Sequence, residues 1–430
     1  AAAASKERDL ELNLLGAAGT VTGSKYLLES HGRQILIDCG LFQGFKQLRL
    51  RNRETLPFRA HALEAVILTH AHLDHSGYLP LLVKNGFAGP IYCTEATSEL
   101  CGILLPDSGH LQEEDAAFAN RRGFSKHKPA LPLYTEEDAK HALSYLRPID
   151  FGHEVELGMG LRFRFLPAGH ILGASLVQLQ HGETSILFSG DLGRANDLLM
   201  LPPTAVAGAD YVVVESTYGD RRHDERDPRT MLAEILNRTF NRGGVVIIPA
   251  FAVGRAQTLL YYIHLLKASK TIPDVPVYLN SPMAVNVTKI FHKYHGEHRL
   301  TPEQCDAMCA AAKYVNSVEE SKALNNRTGP MIIISASGMA TGGRVLHHLK
   351  TFAPDARNTI LFAGFQAGGT RGAAMLDGAE SIKIHGDYVQ VRAEVANVPN
   401  LSAHADYVEI LAWLRNFKST PRQIFVTHGE

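Results

Sequence analysis

The feature that most constrains this chain is a polar cluster that directly follows an apolar run. Residues 65–68, Ala-Val-Ile-Leu, predict a buried strand, and residues 69–75 continue as Thr-His-Ala-His-Leu-Asp-His. The chain after this cluster turns away into a predicted helix. The strand therefore delivers four candidate metal ligands within six residues, and these are His70, His72, Asp74 and His75.

The spacing of these ligands favours two neighbouring metal ions. In extended backbone, side chains two residues apart project to the same side, so His70 and His72 can bind one ion. The adjacent Asp74 and His75 must point in different directions from each other, so a single ion cannot easily take all four side chains. Imidazole and carboxylate donors without a thiolate suit zinc or a similar borderline ion in an open catalytic site. A solvated histidine-rich loop is the alternative, and the preceding apolar strand argues against it.

Length and composition are those of an ordinary two-domain globular protein. The chain has 430 residues, of which 45% are hydrophobic and 20% are charged. No apolar run reaches the length of about 18 residues that a transmembrane helix needs. Residues 1–9 lack a signal-peptide core and the five cysteines form no C-x-x-C pair, so we predict a cytoplasmic protein with reduced thiols. A net charge of −1 argues against a broad basic face for duplex nucleic acid, but not against a local basic cleft.

Strands alternate with helices after about residue 208, which predicts a second domain with a mainly parallel sheet. Three glycine-rich loops in this part follow strands and carry an arginine where a helix starts, at Arg255, Arg344 and Arg371. The amides of such loops are suited to phosphate oxygens. A tight turn with a surface arginine is the alternative for any one loop. Three such loops together favour a phosphate-lined cleft.

Seven separated motifs of this sequence, in order, resemble those of one protein family. The cluster at residues 69–75 is similar to the metal-binding motif of the metallo-β-lactamase superfamily. Asp38 ends an earlier strand, as a carboxylate does in that family. Two later strands lead to Pro-Ala-Gly-His, ending at His170, and to Ser-Gly-Asp, ending at Asp191.

The later motifs resemble the β-CASP subgroup, which contains RNA and DNA nucleases. They are Glu215 at the end of a buried strand, Ser-Ala-His at residues 402–404 and His-Gly-Glu at residues 428–430. The arginine-bearing loops are similar to those of the endonuclease subunit of the pre-mRNA cleavage and polyadenylation factor and its prokaryotic relatives. Two differences from the family are the lack of the N-terminal KH domains that archaeal members often carry, and an end at Glu430 where members usually continue.

The resemblance implies an α/β fold, a four-layered αββα sandwich with an inserted β-CASP domain on a mainly parallel sheet. The implied domains are residues 1–208 and 396–430 for the sandwich and 209–395 for the insertion. Two Zn²⁺ ions per chain are expected. The resemblance implies one ion on His70, His72 and His170, and the other on Asp74, His75 and His428. Asp191 would bridge the two ions, and Asp38 would orient the metal-binding loop from behind.

The implied function is hydrolysis of phosphodiester bonds in single-stranded RNA by a two-metal-activated water, at a cleft between the domains. Both endonuclease and 5′ to 3′ exonuclease modes fit the family. Asp74 would aim the water, and His404 would act as general acid with Glu215 hydrogen-bonded to it. The implied substrate contacts are Arg255, Ser402, Arg344 and Arg371. The family is also compatible with a homodimer, and no membrane partner is expected.

Three alternatives stay open at this point. A small-molecule hydrolase of lactams or thioesters would share the metal cluster but would not need Glu215 or His404. A non-catalytic RNA-binding scaffold is a second alternative, although relatives of that kind have lost ligands that this sequence retains. DNA is a third, because discrimination by the 2′-hydroxyl depends on the geometry of the cleft.

Overall fold

Contacts between Cα atoms divide the chain into two units in this computed structural model. The structure describes residues 10–123, 125–158 and 160–430, without the side chains of residues 284 and 285. Residues 1–9, which were predicted to lack a signal-peptide core, lie outside these ranges. We call the two units the sandwich unit (Ala1–Leu192, Pro202–Asp220 and Asp406–Glu430) and the inserted unit (Gly193–Leu201 and Arg221–Ala405).

Strands and helices follow one another along both units. The sandwich unit begins with β1 Glu11–Leu14, β2 Tyr26–Ser30, β3 Arg33–Ile37, α1 Lys46–Arg51, β4 Leu63–Ile67, α2 Leu73–Ser76, α3 Leu79–Lys84, β5 Ile91–Cys93, α4 Glu95–Arg122, α5 Glu136–Leu143, β6 Leu146–Pro148, β7 Glu154–Gly158, β8 Leu161–Pro167, β9 Ser175–His181, β10 Thr184–Phe188 and β11 Tyr211–Glu215. The inserted unit contains α6 Pro228–Asn241, β12 Val245–Pro249, α7 Arg255–Ala268, β13 Val277–Asn280, α8 Ala284–Lys293, α9 Pro302–Ala310, β14 Lys313–Val315, α10 Val318–Leu324, β15 Met331–Ser335, α11 Val345–Phe352, β16 Thr359–Phe362, α12 Arg371–Leu376, β17 Ser381–Ile384, β18 Asp387–Gln390 and β19 Glu394–Asn397. The sandwich unit ends with α13 Tyr407–Leu414 and β20 Gln423–Thr427.

Two six-stranded sheets face each other in the sandwich unit. Their strand orders are β1-β2-β3-β4-β5-β6 and β20-β11-β10-β9-β8-β7. In β8, buried Phe163 and Phe165 alternate with exposed Arg162 and Arg164, the two-residue period of a strand with one face in a core. Residues of both sheets form one apolar cluster, and burial of a large side chain such as Phe163 stabilises the fold by about 1.5–3 kcal/mol. Beside the first sheet, α4 contacts α5 and β6.

Parallel pairing brings several strand ends to the same edge of each sheet. In the first sheet, β3 pairs with β4 in parallel, so the residues after both strands start from the same edge. In the second sheet, β11 lies in parallel between β10 and β20. Five loops carry the predicted metal ligands and Asp38. Four of these loops begin at such edges, after β3, β4, β10 and β20.

The inserted unit contains a six-stranded sheet with the order β14-β13-β15-β12-β16-β19. Every pairing within this sheet is parallel. Its central strand β12 is buried along its whole length, as expected for a parallel sheet covered on both faces. A two-stranded hairpin, β17 with β18, follows α12. The predicted fold class, a metallo-β-lactamase sandwich with an inserted α/β domain, is confirmed.

Within the described part of the chain, no helix combines the length and the apolar character that crossing a bilayer requires.

Candidate metal centre

The predicted cluster at residues 69–75 leaves β4 in extended backbone and then enters a short helix. His72 caps the N-terminus of α2, and Asp74 and His75 lie inside it. The sequence predicted different directions for Asp74 and His75, and adjacent positions of a helix provide them. His70 and His75 are buried, whereas 19% of the Asp74 side chain is exposed.

A first donor set combines His70, His72, His170 and Asp191. His72 Nδ1 lies 3.2 Å from His70 Nε2 and 3.2 Å from His170 Nε2. The Oδ2 atom of Asp191 is 3.3 Å from His70 Nε2 and 3.5 Å from His170 Nε2. These four ligand atoms converge on one point.

A second donor set combines Asp74, His75 and His428. His428 Nε2 lies 3.2 Å from both His75 Nε2 and Asp74 Oδ2. The other carboxylate oxygen of Asp191, Oδ1, is 3.1 Å from His75 Nε2 and 3.6 Å from His428 Nε2. Asp191 therefore presents one oxygen to each donor set.

These spacings fit tetrahedral metal ions. An ion with nitrogen and oxygen ligands at about 2.0–2.1 Å separates neighbouring ligand atoms by about 3.3–3.4 Å. The nitrogen–nitrogen distances of 3.2 Å in both sets are close to that value. Neutral imidazoles and carboxylates, without a thiolate among them, are the donors of open catalytic zinc sites.

The protonation states in the first set also fit a cation. Burial, and then the neighbouring His70, lower the pKa of His72 to about 3, and burial lowers the pKa of His70 as well. Both rings are therefore neutral near pH 7, the form that binds metals.

In the second set, burial would raise the pKa of Asp74, but His75 and His428 hold it below its ordinary value. Asp74 is thus a carboxylate.

Asp38 lies behind both donor sets and is fully buried. Its Oδ1 accepts a hydrogen bond of 2.7 Å from the Thr69 amide, and its Oδ2 accepts one of 2.9 Å from the Thr69 hydroxyl. The same Oδ2 accepts a bond of 2.7 Å from His75 Nδ1. Since Thr69 Oγ1 donates to Asp38, it can accept from His70 Nδ1 at 3.1 Å. One carboxylate thus reaches a histidine of each set.

His428 is fixed by several backbone and side-chain contacts. Its backbone has a φ of 53°, a left-handed conformation, and its amide donates to Ala17 O over 2.7 Å. Thr217 Oγ1 lies 2.9 Å from His428 Nδ1, which leaves Nε2 directed at Asp74 and His75. The strand β20 thus delivers a ring of defined orientation to the second set.

Glu215 is buried beside this end of β20. Its Oε1 accepts a hydrogen bond of 2.7 Å from the Leu192 amide, and its Oε2 accepts one of 3.2 Å from the Thr217 amide. Its ligand atoms group with those of Asp191 and His428. The predicted hydrogen bond between Glu215 and His404 stays a prediction.

A glycine allows the loop that carries Asp74 and His75 to pack closely on its neighbour. A Cβ atom added to Gly40 would lie 1.6 Å from the carbonyl oxygen of Asp74. The surrounding backbone is hydrogen-bonded, with Ser24 N donating to Asp74 O over 2.9 Å and Cys39 N to His75 O over 2.7 Å. The loop that holds Asp74 and His75 is therefore hydrogen-bonded to two other backbone segments, at Ser24 and at Cys39.

Ser402 and His404 lie in the inserted unit, in a loop tied to residues 223–226. The His404 amide donates to Ser402 Oγ over 3.3 Å, and the His404 carbonyl accepts a bond of 2.9 Å from Nε2 of the buried His223. Asn400 Nδ2 donates to the carbonyls of Asp224 and Arg226. These contacts fix the backbone of the Ser-Ala-His motif.

Arg255 and Ser402 both lie close to the Cβ position of Gly364. A Cβ atom on Gly364 would be 3.5 Å from Arg255 Nη2 and 3.5 Å from the Cα of Ser402. Gly364 has a φ of 106°, in a region that side chains disfavour. The structure therefore brings together two of the residues that were predicted to contact substrate.

Arg344 and Arg371 occupy the predicted positions at helix starts but donate to main-chain carbonyls and, for Arg344, also to one asparagine side chain. Arg344 donates to Asn280 Oδ1, Val315 O and Asn316 O. Arg371 donates to the carbonyls of Lys383, Ala340 and Thr341. These bonds hold the loops around the two arginines, and their predicted contact with phosphate stays a prediction.

Four further residues were missed by the sequence reasoning. Thr69, Thr217, Gly40 and His223 all contact predicted site residues or their backbone. Thr69 and Thr217 stand next to or near motif residues, which was an available signal. Gly40 and His223 act through contacts distant in sequence, which no spacing rule could reveal.

Profiles of three protein families match the chain along most of its length. The metallo-β-lactamase superfamily matches residues 18–232, and the β-CASP domain matches residues 256–375. A profile described as the RNA specificity domain of Zn-dependent metallo-hydrolases matches residues 388–430.

Similar proteins are found among both bacteria and archaea. Ribonuclease TTHA0252 of Thermus thermophilus is 38% identical over 96% of this chain and 92% of its own. The transcription termination factor FttA of Methanocaldococcus jannaschii is 30% identical over 98% of this chain and 67% of its own, and an RNase J-like protein of that organism is 29% identical over 94% and 88%. A crystal structure of a protein of unknown function from Enterococcus faecalis shares the fold, with a TM-score of 0.50, 14% identity, and coverage of 97% of this chain and 93% of that one. The chain belongs to the β-CASP group of the metallo-β-lactamase superfamily and is a hydrolase.

Proposed function

We propose that the protein is a two-zinc ribonuclease that hydrolyses phosphodiester bonds of single-stranded RNA. The observation that carries this proposal is the pair of donor sets that share Asp191, with one carboxylate oxygen directed at each set. The match of residues 388–430 to an RNA specificity domain, and a ribonuclease 38% identical to this chain, support RNA as the substrate.

Zinc fits the donor chemistry better than magnesium or calcium. Five of the seven predicted ligands are histidines, whereas magnesium and calcium prefer oxygen donors. Ions held by these residues would supply Lewis acidity, which favours attack of water on phosphorus and neutralises the charge that develops on phosphate oxygens. The donors of the first set would be His70, His72 and His170. Those of the second would be Asp74, His75 and His428, with Asp191 common to both.

Asp74 is our candidate for orienting the attacking water. It is partly exposed, and its pKa is held below the ordinary value, so its carboxylate can accept a hydrogen bond from water at neutral pH. Asp38 would keep His75 in the tautomer with hydrogen on Nδ1, which leaves Nε2 for the metal.

His404 is our candidate for protonating the leaving ribose oxygen. A general acid must hold its ring in a fixed direction, and the backbone contacts of His404 with Ser402 and His223 provide a fixed loop for it. Glu215 would raise the pKa of this ring by a hydrogen bond, as the family resemblance implies.

Arg255 and Ser402 are our candidates for binding phosphate oxygens, because they flank the same glycine. Arg344 and Arg371 would act together with them, chiefly by holding the glycine-rich loops in place through their main-chain bonds.

A cleavage assay tests the proposal directly. Single-stranded RNA labelled at the 5′ or the 3′ end, and a DNA strand of the same sequence, are incubated with the wild-type protein and with His75→Ala. Internal RNA fragments that are absent with the variant would establish an endonuclease, and stepwise release from the 5′ end an exonuclease. Cleavage of DNA alone would reassign the substrate. No cleavage of either strand, by protein shown to hold two metal ions, would favour a small-molecule hydrolase.

A further inference from the structure

A second group of metal-ligating side chains lies in the inserted unit. His292 is in the last turn of α8, and α9 carries Cys305 and Cys309. One ligand atom from each of the three residues lies within 4.8 Å of the other two. Neither thiol is in a disulfide. None of these residues belongs to the two donor sets described above.

The three side chains come together because of the spacing on α9. Residues three and four apart lie on the same face of a helix, so Cys305 and Asp306 both share a face with Cys309. His292 approaches this face from α8. Its Nε2 lies 3.9 Å from Cys309 Sγ and 3.3 Å from Asp306 Oδ1.

The distances are close to those of a tetrahedral thiolate site. With zinc–sulfur bonds of about 2.3 Å and zinc–nitrogen bonds of about 2.0 Å, a sulfur and a nitrogen ligand lie about 3.5 Å apart, and two sulfurs about 3.8 Å apart. The observed sulfur–nitrogen distance of 3.9 Å exceeds the first value by only a few tenths of an ångström. Small side-chain rotations would complete the geometry.

Two hydroxyl groups, those of Thr288 and Tyr314, lie beside Cys309 and interact with its thiol. The hydroxyl oxygens of Thr288 and Tyr314 are 3.1 Å apart, so the two groups form a hydrogen-bonded pair beside the sulfur. Hydroxyl donors of this kind stabilise negative sulfur in metal sites.

A neighbouring histidine is already engaged elsewhere. His298 Nε2 donates to Phe291 O over 2.9 Å, and its Nδ1 accepts a bond of 3.2 Å from the Leu300 amide. His292, in contrast, has a side chain that is 38% exposed, and its Nε2 faces Cys309 and Asp306. His292 is thus the imidazole that can take part in binding.

We propose that Cys305, Cys309 and His292 bind one thiophilic divalent cation such as zinc, with the Asp306 carboxylate or a water as fourth ligand. Two thiolates balance the charge of a divalent ion, and binding releases the two thiol protons. The ion fastens α8 to α9 within the inserted unit. This site is separate from the proposed ribonuclease chemistry and does not depend on it.

Cadmium titration of the full chain tests the site, because cadmium bound to thiolate absorbs in the ultraviolet by charge transfer. The donor sets around Asp191 contain no sulfur, so cadmium there gives no such absorption. The titration is done with a phosphine reductant, which keeps both thiols reduced. We expect the amplitude of the band at saturation to correspond to about one thiolate-bound cadmium ion per chain, whatever amount of cadmium the donor sets around Asp191 take up.

Two conservative tests show which side chains give rise to the absorption band. His292→Ala changes an exposed side chain and should weaken cadmium binding at least about tenfold, while Cys309→Ser should remove most of the absorption. Cys101→Ala, a buried thiol outside the group, is the control and should keep the full band. RNA cleavage by His292→Ala should equal that of the wild type. Absence of the band in reduced wild-type protein, or its persistence unchanged in both variants, would overturn the proposal.

Discussion

Asp38 accepts a hydrogen bond of 2.7 Å from Nδ1 of His75, a residue 37 positions later in the chain. The same carboxylate accepts two bonds from Thr69, the residue before His70. A single buried group behind the loop therefore orients rings in both donor sets. Replacing a residue that hydrogen-bonds a metal ligand from behind commonly lowers metal affinity 10- to 100-fold, an effect of about 1.4–2.7 kcal/mol.

We expect Asp38→Asn to lower metal content and RNA cleavage by about 10- to 100-fold without unfolding the protein. The asparagine amide would present a donor to Thr69 or His75, both of which donate to the carboxylate now. Metal analysis after dialysis, together with cleavage rates, measures the effect. Asp150→Asn, at an exposed position, is the control. Unchanged metal content in Asp38→Asn would remove the orienting role.

Gly40→Ala should disrupt the second donor set more than the first. The added methyl group would collide with the Asp74 carbonyl at 1.6 Å, and backbone on both sides is hydrogen-bonded and cannot easily move. We expect about one metal ion per chain instead of about two at the predicted sites, and loss of cleavage. Gly102→Ala in α4, where a Cβ meets nothing within 4 Å, should instead stabilise the protein by about 0.5–1 kcal/mol. Retention of both ions in Gly40→Ala would contradict this prediction.

His404→Ala should leave the metal content unchanged and lose about 10²- to 10⁴-fold in turnover, because the proposed general acid is removed while the donor sets stay intact. Metal analysis and single-turnover cleavage are measured on the same sample. His127→Ala, an exposed position of the sandwich unit, serves as the control. Full turnover in His404→Ala would show that another group protonates the leaving oxygen.

Gly364→Ala should weaken RNA binding while metal content stays normal. A left-handed φ of 106° costs a side chain about 1–3 kcal/mol, so we expect the backbone to shift beside Arg255 and Ser402, which the methyl group would touch at van der Waals distance. Gly378→Ala bears a similar backbone penalty at a φ of 86° but meets nothing within 4 Å. If KM rises for Gly364→Ala but not for Gly378→Ala, the cause is the contact with Arg255 and Ser402 and not the backbone penalty. Equal KM values for the two variants would argue against a binding role at this glycine.

His348 should make the stability of the protein depend on pH in mildly acidic solution. Burial, followed by His347 and Arg344, lowers its pKa from 6.5 to about 4, and its neutral ring bonds Asn280 and Asn325. Below pH 6.5 the unfolded chain takes up a proton that the folded chain does not, so the free energy of unfolding falls as the pH drops towards 4. The contribution amounts to at most about 3 kcal/mol.

Urea unfolding of the wild type and of His348→Gln, between pH 7 and pH 4.5, isolates this contribution. Glutamine does not titrate, so the difference in unfolding free energy between the two proteins should shrink with falling pH. His61→Gln, at an exposed position, should follow the wild type. Parallel curves for the wild type and His348→Gln would disprove the role of His348.

Local sequence patterns predicted the strands of both units well. Apolar residues predicted a buried strand at 65–68, within two residues of the bounds of β4, and a buried strand ending at Glu215, where β11 ends, because buried strands of a sheet read as continuous apolar residues. The same patterns placed Asp38 and His70 at strand ends. Parallel pairing of β3 with β4 then explains why Asp38 lies beside Thr69, the residue before His70.

The contacts that complete the site could not be predicted in this way. Gly40 is needed because it packs against Asp74, and His223 because it bonds the carbonyl of His404, 181 residues away. Such contacts depend on how loops fold back on one another, which leaves no period in the sequence. The hydrogen bonds from Arg344 to main-chain carbonyls could not be predicted for the same reason. The sequence around an arginine at a helix start is the same whether its side chain contacts a ligand or a carbonyl.

The separation of His75 and His428, 353 positions apart in the chain, has a consequence during synthesis. The second donor set exists only after β20 has left the ribosome and paired with β11. A nascent chain can assemble the first donor set once Asp191 has emerged, but not the second. The growing protein is therefore expected to stay inert towards the messenger RNA from which it is being translated, and to gain its proposed nuclease activity only when β20 is in place.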